Sequence, residues 1–186
     1  MNTGTNSIRV ITEGQFDTDL LKKILPKKTT GGHSFEFTPA SGFSYAMALA
    51  RSILIMGGSS IILVLDTDSV DPQKVAEKKS FVGSYLNASV YQENFKLELV
   101  EPELEIIFFE NKTLLEKIIG ASISTEAWDL ARFSPKKHLE YLSGLSREEI
   151  LNKLTEEDIQ LLQNSSVIKD IMQFADQQPD QMNKVA

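Results

Sequence analysis

Cysteine is absent from this 186-residue chain, tryptophan occurs once and histidine only twice. Without cysteine there is no structural disulfide and no thiolate-ligated zinc, a composition that suits a reducing, cytoplasmic setting. Long apolar runs are missing too. None approaches the roughly 18 residues that a membrane span needs, and Met1 to Ser7 is polar rather than the apolar core of a secretion signal. Positive charge is scarce: 19 Lys and Arg against 26 Asp and Glu leave a net charge of −7. Tight non-specific binding to duplex nucleic acid draws on many Lys and Arg contacts, so this balance argues against it. It leaves open nucleic-acid chemistry through a bound cation, which reverses the local field. His33 and His138 stand far apart, and neither is assigned a role. No internal repeat or low-complexity segment is evident.

What the chain does contain is an apolar run, Ile61-Ile62-Leu63-Val64-Leu65, that ends in Asp66-Thr67-Asp68-Ser69. The run is too short for a helix of its own and reads as a strand buried on both faces. Its carboxyl end is where open α/β sheets bind ligands. Residues i and i+2 of a strand point the same way. Asp66 and Asp68 would then repel each other unless a cation lies between them or one holds a proton.

Around this strand the pattern alternates. Ile8 to Ile11 reads as a first strand, and Thr12-Glu13-Gly14 turns into a helix from about Phe16 to Leu25, closed by Pro26. Phe35 to Phe37 reads as a second strand, and Ser41-Gly42 opens a helix from Phe43 to Met56 that stops at Gly57-Gly58. Asp71-Pro72 starts a helix to Leu86. Phe95 to Val100 and Leu104 to Phe109 read as two further strands joined around Glu101-Pro102. Asn111 caps a short helix ending at Gly120. Beyond it only helix starts are seen: Ser134-Pro135, a capping box at Ser146-x-x-Glu149, Thr155 before three acids, and Ser166. The expected fold is α/β, a Rossmann-like, mainly parallel sheet of four to five strands over 1–120. An all-helical extension over 121–178 and a fraying tail over 179–186 follow.

In a parallel sheet the strand carboxyl ends share one edge, so Glu13, and Asp17 one helical turn beyond it, converge with Asp66 and Asp68 if their strands are neighbours. Four carboxylates make the oxygen-rich setting that Mg²⁺ or Mn²⁺ prefers. The order Thr12-Glu13-Gly14-Gln15-Phe16-Asp17 after one strand and Leu65-Asp66-Thr67-Asp68-Ser69 after another resembles the Toprim domain. That family comprises the metal-binding domain of topoisomerases, primases, small ribonucleases and overcoming-lysogenization-defect nucleases. The resemblance covers about residues 7–120. Topoisomerase and primase members usually continue with a glycine and further catalytic segments, where this chain has Ser69-Val70-Asp71-Pro72. Glu101-Pro102-Glu103-Leu104-Glu105 resembles instead the Pro-x-Ile-Glu-x-Trp-Leu segment of small stand-alone Toprim-like proteins, some found beside ATPases in phage defence. Ser134-Pro135-Lys136-Lys137 is similar to a stretch in their helical tails. The resemblance implies metal-dependent cleavage of DNA or RNA. Glu13 would be a ligand or general acid/base, Asp66 and Asp68 metal ligands, Asp17 a ligand to a second ion, and Glu105, less so Glu103, an added acid. Arg51 and Lys27-Lys28 are candidate phosphate contacts.

Other readings stand beside this one. Glu13 and Asp17 also suit the first turn of a helix, where the dipole favours acids. Glu103 and Glu105 suit a solvated strand edge, Trp128 a packing anchor, and Lys136-Lys137 a solvated helix face. Leu63 to Val70 fits the haloacid-dehalogenase phosphatase signature, with Asp66 as nucleophile, although that family begins with this strand and two strand–helix units precede it here. A receiver-type phosphoacceptor would carry an acidic pair after the first strand, where only Glu13 stands. A non-catalytic, metal-binding regulatory or assembly subunit of an ATPase complex is the main alternative, and self-association is compatible with either.

Overall fold

The computed structural model describes residues 7–57, 59–87, 91 and 93–179. Gly58, the ends 1–6 and 180–186, and with them most of the expected fraying tail, lie outside the described residues. Four strands, β1 (Ser7–Thr12), β2 (Ser34–Pro39), β3 (Ser60–Asp66) and β4 (Phe95–Val100), form one sheet in the order β2-β1-β3-β4. Every pair is parallel, with Thr12 opposite Val64 and Asp66 opposite Val100. The chain is α/β and Rossmann-like. The strand order reverses between β1 and β3, so a crevice opens beyond their carboxyl ends.

Each of the first three strands is followed by a helix that returns the chain: α1 (Gln15–Ile24), α2 (Phe43–Met56) and α3 (Pro72–Leu86). Stepping left from β1 and then right places α1 on one face and α2 and α3 on the other, given right-handed crossovers. The core divides accordingly. Leu20, Leu21 and Ile24 pack with Ile62 and Val64, whereas Ala46, Ala50, Leu54 and Val82 pack with Ile61, Leu63 and Leu65. The apolar run of β3 thus serves both faces, as a central parallel strand must.

Leu104–Phe109, expected as a strand, is a 3₁₀ helix. A short run with a single polar residue, Glu105, that is itself buried shows no period and fits any element packed on all sides. Here the Leu104 N–H donates to Asp66 Oδ1 at 2.9 Å, which starts a turn rather than a ladder. Leu104, Ile107, Phe108 and Phe109 are buried among neighbours that include α4 (Lys112–Ile119) and α6 (Pro135–Ser143). The remaining helices are α5 (Thr125–Ala131), α7 (Arg147–Lys153), α8 (Glu156–Leu162) and α9 (Ser166–Asp176).

The helical part shares its core with the α1 face of the sheet: Leu139, Ile150, Ile168 and Ile171 belong to one apolar cluster with Val10 and Leu21. Trp128 anchors α5 there, 6.0 Å from Phe109. Ser146 and Thr155 form the capping boxes that start α7 and α8. Two of the expected caps differ. Ser134 makes no side-chain cap bond, and the Lys136 N–H at the start of α6 donates to Glu103 Oε2 at 3.1 Å. Ser165, not Ser166, holds the cap position of α9, while Ser166 donates from N–H and hydroxyl to the Glu110 carboxylate at 3.1 and 2.9 Å. Acids bracketing the 3₁₀ helix therefore cap two helices of the extension, a pairing that local sequence cannot reveal.

Gly42 joins β2 to α2 with φ 98° and ψ 173°, a region that is essentially glycine's own. Its N–H donates to the Glu13 carbonyl at 2.9 Å, tying the turn after β2 to the turn after β1. Gly42→Ala is expected to lower stability by about 1–3 kcal/mol, read as a shift of the urea midpoint at unchanged slope.

Candidate functional site

Glu13 and Asp66 end the two central strands, and the structure brings them together. The Asp66 N–H donates to Glu13 Oε1 at 3.1 Å. Alternation along β3 directs Ile62, Val64 and then Asp66 to the α1 face. Asp17 waits there in the first turn of α1, whose start is fixed by Thr12 Oγ1 bonding to the Gly14 carbonyl and to Thr18 Oγ1. Glu105, in the 3₁₀ helix, completes the group. It is 1% exposed and takes Arg147 Nη1 at 2.9 Å. Glu105 is therefore no solvated strand edge.

These acids feel one another. Burial pushes Asp66 up to about 8, and the charges of Asp17, Glu105 and Glu13 push the same way against the Leu104 N–H. Asp17 rises to about 6, chiefly through burial and then Glu105, with Arg147 opposing. Glu13 is also raised by burial, against Lys78 and the Asp66 N–H.

Asp68 stands apart. Its φ of 57° breaks the extended backbone after Asp66, so the same-side rule for i and i+2 ends with the strand. Its N–H is held by the Pro102 carbonyl at 2.9 Å, and its 71%-exposed side chain takes Lys78 Nζ of α3 at 3.0 Å. It reaches Glu13 through its charge, but is not among the groups that raise Asp66. The expected Asp66/Asp68 pair is thus an Asp66–Asp17–Glu105 group flanked by Glu13, with Asp68 on the α3 side.

Three cations border the group, and sequence reading singled out none of them for it. Arg147 also bonds Glu140 at 3.3 Å and lies 4.5 Å over the Phe16 ring. Lys136 acts by charge on Glu13 and Asp17, so it is more than a solvated face. Lys78 does so on Glu13. The one sequence cue for Arg147 was its place after a capping serine. Of the candidate phosphate contacts, Lys27 and Lys28 follow the carboxyl end of α1 and so lie at the opposite, amino edge of the sheet. Arg51 lies 4.9 Å over Tyr85. His33 is buried, with Nε2 2.9 Å from the Gln178 carbonyl, and His138 Nδ1 is 2.8 Å from the Ser134 carbonyl.

Among the described residues no three His, Cys, Asp or Glu side chains are already gathered around a metal position. The donor chemistry nevertheless fits a hard cation: all four acids offer oxygen, and burial raises Glu13, Asp17 and Asp66 while their charges oppose one another. The bonds to Leu104, Asp66 and Arg147 each occupy a single carboxylate oxygen.

The pH dependence of stability follows. Folded Asp66 and Asp17 hold protons that their unfolded forms, near 3.8, have released. The folded state then binds more protons, and stability falls as pH rises from about 4 through about 8. In chelator, the melting temperature is expected to drop across this window, at roughly 2–4 °C for each kcal/mol lost. Mn²⁺ should oppose the drop most at the alkaline end. A flat profile, with and without Mn²⁺, would refute the mutual repulsion.

No protein-family model, curated protein or solved structure matches the chain.

Proposed function

We propose that the chain is a divalent-metal-dependent nuclease of Toprim type, cleaving phosphodiester bonds of DNA or RNA with Mg²⁺ or Mn²⁺. One observation carries this reading. Asp66 and Glu13 stand together at the carboxyl ends of the two central parallel strands, with the Asp66 N–H on Glu13 Oε1 at 3.1 Å, and burial and the charges of Asp17, Glu105 and Glu13 raise Asp66. Acids whose charges oppose one another in this way would exchange protons for a cation.

Asp66, Asp17 and Glu13 would hold the metal, with Glu105 as a further oxygen donor. A bound divalent ion supplies a water of lowered pKa and offsets the charge that grows on the phosphoryl oxygens. Arg147 Nη1 donates to Glu105 and so orients it. Lys136 and Lys78, on the rim, offset the approach of a polyanion to an acidic chain. Asp68 serves as the partner that fixes Lys78 rather than as a principal ligand.

The test uses the purified chain with Mn²⁺ or Mg²⁺ and mixed single- and double-stranded DNA and RNA, beside Glu13→Ala and Asp66→Ala. Cleavage by the wild type alone, abolished by chelator, is expected. Equal inertness of all three with every metal removes the stand-alone nuclease. Activity restored only by an ATPase partner would make the chain the toxin subunit of a defence pair. Hydrolysis of a simple phosphate ester that survives Glu13→Ala but not Asp66→Ala would favour the phosphatase reading.

A further inference from the structure

The face opposite the helical extension carries a feature that the carboxylates do not use. Phe43 opens α2 directly after Gly42, at the same sheet edge as Glu13. Its ring stacks on Phe81 of α3 at 6.4 Å and 24°, and Phe81 on Tyr85 at 6.4 Å and 28°. Three rings therefore form a ladder that starts beside the acidic site and runs down the α2–α3 seam. Phe81, its middle rung, is 55% exposed. Phe81 thus keeps more than half its surface in water, while Val82 and Leu86 of the same helix are buried.

Cations flank the ladder at both ends. Lys78 Nζ lies 4.6 Å over Phe43, and the Arg51 guanidinium lies 4.9 Å over Tyr85. Helices α2 and α3 hold four basic residues, Arg51, Lys74, Lys78 and Lys79, against the single acid Glu77. Asp68, paired with Lys78, and Asp71, the cap of α3, bring the balance of this face to about +1, still the reverse of a chain of net charge −7. Aromatic faces that accept any base, interleaved with cations that follow a phosphate backbone, are what sequence-independent single-strand binding uses. A duplex hides its base faces and gains nothing from the rings.

We propose that the Phe43–Phe81–Tyr85 ladder, with Arg51 and Lys78, is a binding track for single-stranded nucleic acid that delivers the strand to the carboxylate edge at Glu13. This deepens the nuclease reading and rests on it for the fate of the strand, but its binding step needs no metal. Lys78 links the two regions, since it contacts both Phe43 and Asp68.

The test is fluorescence anisotropy in chelator with a labelled oligo(dT) of about 15 nucleotides, within the site sizes of single-strand binders. Oligo(U) and a duplex of the same length serve as further arms. Wild type should bind the single strands more tightly than the duplex, and the affinity should fall with salt. Phe81→Ala and Arg51→Glu should each weaken it by roughly tenfold or more. Tyr141→Ala, which removes an 83%-exposed ring on α6, should not. Absence of binding, equal binding of the duplex, or indifference to Phe81→Ala overturns the track. So does a wild-type dimer in sedimentation that Phe81→Ala disperses, because the exposed rings, with Tyr45, Ile55 and Met56 of α2, would then be covered by a second copy. A chain that binds oligonucleotide through this face yet cleaves nothing keeps the track and loses the nuclease. One that cleaves with affinity indifferent to Phe81 does the reverse.

Discussion

Asp66→Asn is expected to reduce metal-dependent cleavage by on the order of 10²- to 10³-fold, the scale of removing one charge-stabilising group from an active site. Asparagine keeps the shape and can still accept from the Leu104 N–H, so the 3₁₀ helix stays in register. What it removes is the ionisable carboxyl, whose negative form Asp17, Glu105 and Glu13 oppose. The variant should therefore melt no lower than wild type in chelator, and its stability should fall less steeply with pH. Activity and stability move in opposite directions, as expected where like charges are gathered for function rather than for folding. Asp68→Asn is the comparator. Its side chain is exposed and bound to Lys78, and the loss should be distinctly smaller. Equal losses at the two positions would restore the aspartate pair suggested by the sequence. A wild-type rate for Asp66→Asn would remove the acid group from catalysis.

The second large effect is on folding. Arg147→Ala strips the ion-pair partner from Glu105, whose side chain is 1% exposed. Leaving one charge of a buried pair uncompensated costs about 3–5 kcal/mol. For a chain of this size that is a fall in melting temperature on the order of 10 °C. Arg147→Lys should recover only part of it. Lysine keeps the charge but loses the fork that reaches both Glu105 and Glu140, and the planar stack on Phe16. Adding Glu105→Gln to Arg147→Ala should recover most of it, because the orphaned charge disappears. Divalent cation should rescue Arg147→Ala more than wild type, since it offers the acids the positive charge that arginine supplied. If Arg147→Ala melts within a degree or so of wild type, the bridge does not hold the extension to the site.

Much of this site is local in sequence, which is why it could be read there. Glu13 follows a strand and precedes a glycine, Asp17 lies one turn on, and Asp66 ends an apolar run bounded by turn residues. Period, caps and strand order suffice for all three. Strand alternation does not carry through to Asp68, which itself takes a left-handed backbone that no pattern marks. Leu104–Phe109 reads as a strand because its one polar residue, Glu105, is buried with the apolar ones and sets no period. Glu105 was legible only through a resemblance. Arg147, 42 residues further on, was not legible at all, because its role rests on how a helical extension docks. The same holds for the capping of α6 by Glu103 and of α9 by Glu110. Long-range polar contacts carry no period, and they decide where this pocket closes.

The Arg147–Glu105 bridge also imposes an order of events on biosynthesis. A chain made from its amino end exposes Glu13, Asp17, Asp66 and Glu105 before Arg147 has been polymerised. The acid group of the nascent sheet then lacks the guanidinium that faces it in the finished fold. Docking of α7 is the step at which Glu105 first meets its partner, so the group closes only once the helical extension has been made.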